Sequence, residues 1–209
     1  ITIVLVPFIY MGDISFFSEK EFYTYLPNNL TLYGFQSSIK GVFDTNPYHS
    51  INGSLWTLRY EFSLYMALAI LYFFRNRKTV IRVLLLISFT TVFLVYNQFQ
   101  ERFFGSSVLG MQGYHILNFS SFFVAGSLLA SLGFDKLIAK GKYTTYILAF
   151  SMILILMISL YFNYFSSIKH IVFTLVILLI GFMPIPLLSN FRKIGDMSYG
   201  IYIYSFPIQ

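Results

Sequence analysis

Thr79-Val-Ile-Arg-Val-Leu-Leu-Leu-Ile-Ser-Phe-Thr-Thr-Val-Phe-Leu-Val-Tyr96 is an almost unbroken apolar run whose single charge, Arg82, lies near its start. A helix needs about 20 mostly apolar residues to cross the roughly 30 Å hydrocarbon core of a bilayer, and this run with its flanks has that length. Working outward from it, whole spans are expected at Ser54 to Phe74, Thr79 to Tyr96, Gly113 to Leu132, Tyr143 to Phe162 and Lys169 to Leu188. Ile1 to Tyr10 and Met197 to Gln209 are apolar but shorter, as truncated spans would be. The expected fold is all-α: a polytopic transmembrane helix bundle of about seven crossings, the first and last partial. Residues 1–209 are expected to form one transmembrane domain truncated at both ends.

Composition supports a lipid solvent. The chain is 57% hydrophobic and 21% aromatic with only 11% charged residues, and its mean hydropathy is +0.71; an ordinary globular domain carries about 25% charged residues. The net charge of +6 does not point to nucleic acid, because a nucleic-acid binder clusters its cations on one face or arm. Here they are spread through the loops. The absence of cysteine excludes disulfides, thiolate metal sites and a Cys nucleophile, and His49, His115 and His170 have no metal-binding spacing.

Lysine and arginine also set the orientation. Arg75, Arg77, Lys78, Arg82, Lys136, Lys140, Lys142, Arg192 and Lys193 occupy alternate loops, whereas the others hold only Lys20, Lys40, Arg102 and Lys169. By the positive-inside rule, the loops near 75–78, 133–142 and 189–196 are expected to be cytoplasmic, in a multi-pass protein of the cell's plasma (inner) membrane. Residues 11–53 then form an extracytoplasmic loop. Loops beyond about 12 to 15 residues usually carry structure or function. Ser18 followed by Glu21 fits a capping box opening a short helix that Pro27-Asn28-Asn29 would end. Pro184 and Pro186 are expected to kink or end the span that contains them.

The segment with chemical content is Asn52-Gly-Ser-Leu-Trp-Thr-Leu-Arg-Tyr-Glu-Phe-Ser-Leu-Tyr65, which places Arg59 and Glu61 inside an otherwise apolar span. Insertion of an ionised group at a helix centre costs about 2.5 to 3.5 kcal/mol, so such residues usually face a partner or cavity inside the bundle. Two positions apart, Arg59 and Glu61 point about 200° away from each other, which argues against their pairing. Glu61 therefore calls for a partner from another helix, or water, and it shares one stripe with Thr57, Tyr65 and Leu68. Arg59 is shallower and reads as an interfacial anchor, and Trp56 and Tyr60 suit an aromatic belt. Asp196 and Ser198 suit a helix start, and His115 reads as an interfacial polar residue.

These residues resemble a known family, the acyltransferase 3 membrane proteins, which O-acylate cell-surface polysaccharides and related glycans. Asn52-Gly-Ser-Leu-Trp-Thr-Leu-x-x-Glu61 is similar to the family's Asn-Gly-Ser-Leu-Trp-Thr-Leu-x-x-Glu segment, and Phe122-Phe-Val-Ala-Gly126 to its mid-chain Phe-Phe-x-x-Gly helix. The stretch from Ile194 through Ser198-Tyr-Gly-Ile-Tyr202 to Gln209 is similar to its terminal helix. The family's usual catalytic histidine and an arginine motif would fall before Ile1, so the 209 residues alone are expected to be inactive. Ser205 stands where many members carry histidine.

The resemblance implies transfer of an acetyl group from a cytoplasmic acyl-CoA donor, acetyl-CoA, to a hydroxyl of an extracytoplasmic polysaccharide or glycolipid such as lipopolysaccharide or exopolysaccharide. Glu61 would be a supporting catalytic group, orienting the histidine, raising its basicity or positioning the acceptor. Asn52, Ser54, Trp56, Arg59 and Tyr199 would bind substrate. No bound cofactor, metal or nucleic-acid partner is expected; the bilayer is. Two other readings compete: a polytopic exporter of lipid-linked sugars that uses Glu61 as an intramembrane relay, and a non-catalytic scaffold.

Overall fold

The computed structural model describes residues 2–139, 141–183 and Tyr202. The chain is mostly helical, with eight α-helices among those residues: α1 (Thr2–Met11), α2 (Lys20–Leu30), α3 (Leu58–Leu71), α4 (Lys78–Phe99), α5 (Gly113–Ser131), α6 (Phe134–Ala139), α7 (Lys142–Tyr161) and α8 (Phe165–Phe182). It divides into two compact units, Ile1–Phe62 with Asn190–Gln209, and Ser63–Ser189.

Among the described residues, three helices are long and apolar enough to cross a membrane: Lys78–Phe103, Tyr143–Tyr161 and Phe165–Phe182. The sequence led to about seven crossings, more than the described residues show. The expected span at Ser54 to Phe74 is broken into a 3-10 turn (Gly53–Thr57), the 14-residue α3 and a second 3-10 turn (Tyr72–Phe74); at 1.5 Å per residue α3 alone covers about 21 Å. The 19-residue α5 is diluted by His115, Asn118, Ser120 and Ser121, and α1 has only 10 residues. Pro184, Pro186 and the terminal run from Met197 lie outside the described residues, apart from Tyr202.

In the first unit, Tyr25, Ile39, Val42 and Ile51 form a core against which Val6, Met11, Phe22 and Phe43 pack. The long loop is held to α2 mainly through Gln36. Gln36 Oε1 accepts from Thr24 Oγ1 and Asn28 Nδ2, both at 2.9 Å, while its Nε2 donates to the carbonyls of Glu21 at 2.8 Å and Ser38 at 3.1 Å. Asn29 adds Nδ2 bonds to the Tyr25 and Gln36 carbonyls, each 2.9 Å. The short helix was expected, but its boundaries differ. Ser18 closes a 3-10 turn (Ser15–Ser18), Glu19 is the N-cap without a side-chain cap bond, and Pro27 lies inside α2, which runs on to Leu30. Proline removes one ladder donor; the Asn29 and Gln36 bonds hold the last turn regardless.

The second unit is built from two helical hairpins. α4 and α5 are joined by a 3-10 turn (Gln100–Phe103) and a ribbon of β1 (Ser107–Val108) and β2 (Met111–Gln112), registered Ser107↔Gln112 and Val108↔Met111. Its central residues Leu109 and Gly110 have φ of 52° and 73°, as a type I′ turn requires. α7 and α8 are joined through Asn163 at φ 61°. There Tyr164 N–H reaches the Ser159 carbonyl at 2.8 Å and Asn163 N–H the Leu160 carbonyl at 3.2 Å, the two bonds of a Schellman cap. The spans bury little of themselves, 11%, 17% and 28% of their most apolar windows. Phe150 is 70% exposed and Ile147 66%. A contiguous apolar surface of this kind belongs against lipid.

Candidate functional site

Asn52 is buried and caps the Gly53–Thr57 turn, its Oδ1 accepting from Ser54 N–H at 3.1 Å. Asparagine satisfies one of the orphan donors of a helix start in this way. The chain therefore leaves the loop on a fixed heading, and α3 begins at Leu58. Thr57 and Glu61 fall one turn apart on that helical path. Thr57 Oγ1 donates to Glu61 Oε1 at 3.2 Å, as their shared stripe allows. Glu61 is exposed on this unit rather than turned inward, and Thr57 is on its own helical path rather than on another helix.

Tyr202 completes the arrangement. Its hydroxyl donates to the Ser54 carbonyl at 2.6 Å and meets the Thr57 hydroxyl. The result is a chain from Ser54 O through Tyr202 Oη and Thr57 Oγ1 to Glu61 Oε1. Two hydroxyl protons serve three contacts, so the Thr57 proton is shared between Tyr202 and Glu61. A change at either end is felt at the other. Among the substrate residues expected from the resemblance, Tyr199 lies outside the described residues; Tyr202, three positions further on, makes the contact.

Arg59 does not pair with Glu61. Its Nε donates to the Trp56 carbonyl at 3.2 Å, and its guanidinium lies 5.6 Å from the Phe35 ring and 5.7 Å from the Tyr60 ring. Trp56 meets Tyr60 edge-on at 5.7 Å, and Tyr60 is buried. Arg59 is thus an anchor for the loop as well as a cation at its edge, with cation–π contact aiding both.

A second polar cluster, in the other unit, escaped the sequence reading. His170 is fully buried, and its Nε2 lies 3.0 Å from Asn118 Oδ1; with a carbonyl oxygen as partner, Nε2 is the donor. Phe122 and Tyr96 ring it at 4.6 and 4.5 Å. Lys169 Nζ donates to Tyr96 Oη at 2.7 Å, and Tyr96 Oη lies 3.2 Å from Tyr114 Oη. These contacts join α4, α5 and α8. Lys169, assigned to a span boundary from its charge, sits one turn inside α8. No group of three or more potential metal ligands is found among the described residues.

Comparison with known proteins decides the assignment. The acyltransferase 3 profile, described as an acyltransferase domain, matches residues 1–209. The chain belongs to the acyltransferase 3 family. No curated protein and no solved structure matches it. With its apolar helices, this acyltransferase 3 chain is a membrane acyltransferase.

Proposed function

We propose that this acyltransferase moves an acetyl group from a cytoplasmic acyl-CoA to a hydroxyl of a polysaccharide or glycolipid on the outer side of the plasma membrane. In the balanced reaction, the acceptor oxygen adds to the thioester carbonyl. The C–S bond then breaks, and the hydroxyl proton leaves with a base and ends on the CoA sulfur. Such a step needs a base for the proton and donors for the developing oxyanion.

The observation that carries the reading is the family match across residues 1–209; the resemblance of Asn52 to Glu61 to the family's segment puts Glu61 at its acidic position. The Tyr202–Thr57–Glu61 chain supports a positioning role for Glu61. A carboxylate held by Thr57 keeps lone pairs for a second partner, the acceptor hydroxyl or the imidazole of the base. Asn52 and Ser54 hold the turn that sets this geometry, and Arg59 and Trp56 edge the acceptor side. The exporter reading has no observation in its favour beyond an ionisable residue in an apolar helix.

The test is the O-acetyl content of surface glycan in cells lacking the full-length gene, complemented with wild type or Glu61→Gln at matched membrane levels. Wild type should restore the esters and the variant should not. Restored glycan export without any acetyl ester in either strain would replace this reading with the exporter.

A further inference from the structure

Where α4 begins and α5 ends, the second unit holds a cavity of about 890 Å³, within the roughly 300–1,000 Å³ range of small-molecule sites. Its lining is of two kinds. Leu132 and Phe134 give an apolar wall, and Lys78, Arg82 and Lys136 bring three cations against the single carboxylate of Asp135. Leu132 is 57% exposed, and Phe134, half-buried against Ile138, Ala149 and Leu179, backs the wall. Arg82 is fixed in place, with its Nε donating to the Ser131 carbonyl at 3.0 Å, one of the carbonyls a helix C-terminus leaves without a ladder partner. Gly133, at φ 76°, turns the chain from α5 into α6 and brings Lys136 to the same rim. Lys78 is the first residue of the span Lys78–Phe103, so the cavity opens at a membrane boundary.

We propose that this cavity binds the phosphate headgroup of an anionic phospholipid. Arginine and lysine match a phosphodiester through charge-assisted bonds, and basic pockets beside membrane helices select such headgroups. A soluble phosphate compound satisfies the cations and leaves Leu132 in water. A lipid satisfies both, its headgroup on the cations and its first methylenes on the wall.

The test uses the full-length protein in neutral detergent, titrated with phosphatidylglycerol, phosphatidylcholine or coenzyme A, with bound ligand read by native mass spectrometry. Phosphatidylglycerol should bind at least about tenfold more tightly than phosphatidylcholine. Lys78→Gln/Lys136→Gln leaves the Arg82–Ser131 bond in place and should weaken phosphatidylglycerol about 25-fold, roughly fivefold for each cation. The single variants, each about fivefold weaker, report the same effect should the double variant fail to fold. Lys20→Gln/Lys40→Gln loses equal charge elsewhere and should change nothing. Equal binding of the two lipids, or equal weakening in both double variants, overturns the proposal. Coenzyme A that displaces phosphatidylglycerol and loses affinity in the pocket variants reassigns the site to a soluble diphosphate.

Discussion

Gln36→Glu is the sharpest perturbation of the loop that carries the candidate site, because it alters half of one side chain's bonds and leaves the other half. The native amide accepts from Thr24 and Asn28 and donates to the Glu21 and Ser38 carbonyls. The Glu21 and Ser38 carbonyls can only accept, so they fix which end of the Gln36 amide is nitrogen, and Thr24 and Asn28 then donate to its oxygen. A glutamate keeps both acceptor contacts and turns both donor contacts into oxygen against oxygen. Each lost hydrogen bond is worth about 0.5–1.5 kcal/mol net, and each carbonyl left without its partner costs about 1–3 kcal/mol where buried. Gln36 is half-buried, so about 2–3 kcal/mol is expected. At 1.36 kcal/mol per decade, that is a roughly 30- to 150-fold rise in local opening. Hydrogen–deuterium exchange on the purified full-length protein reads it directly in peptides covering residues 31–42, with peptides of α7 as the internal control. Exchange in that stretch unchanged within threefold would refute the argument that Gln36 fastens the loop.

Tyr25 carries a buried hydroxyl without a hydrogen-bond partner, and burial pushes its pKa up to about 12. An acid whose folded pKa is raised gives stability that is complete below pH 10 and lost as pH climbs from 10 through about 12. Tyr25→Phe should leave neutral-pH melting unchanged or up to about 1 kcal/mol more stable, and flatten that alkaline loss in a thermal-melt series. Thr57→Val separates Tyr202 from Glu61 and should lower glycan acetylation about fivefold to tenfold, one hydrogen bond's worth, while Thr57→Ser restores it; equal rates for valine and serine would remove the hydroxyl chain from the mechanism. Asn118→Leu strands the buried His170 Nε2, and because polar contacts between membrane helices average only about 0.6 kcal/mol, a loss near 1 kcal/mol is expected in detergent unfolding. The double variant Asn118→Leu/His170→Leu should recover most of it.

What the sequence reveals depends on how local each cause is. α7 is expected at Tyr143 to Phe162 and runs Lys142–Tyr161, because a continuous apolar run between polar turns leaves a helix few alternatives. α8 starts at Phe165 rather than Lys169: a lysine looks like a boundary until Tyr96, 73 positions away, takes its ammonium. The stripe of Thr57 and Glu61 is helical arithmetic and was legible. That Tyr202 joins them, and that His170 faces Asn118, are facts of tertiary packing that no periodicity encodes. The Ser18/Glu21 pattern misled for the opposite reason. It is a local motif, and here Glu19 in extended conformation takes the cap position.

The membrane helices are unequal in length. Phe165–Phe182 has 18 residues and α4 has 22 before the Gln100–Phe103 turn, about 27 and 33 Å at 1.5 Å per residue. A hydrocarbon slab of roughly 30 Å fits the first and is overshot by the second. Its partner α5 returns from the Ser107–Gln112 ribbon, which closes the α4–α5 hairpin at that end. The ribbon's Leu109-Gly110 tip is exposed, Leu109 to 69%, and a short epitope or a single reactive cysteine there reports the side of the membrane on which that end of the molecule lies.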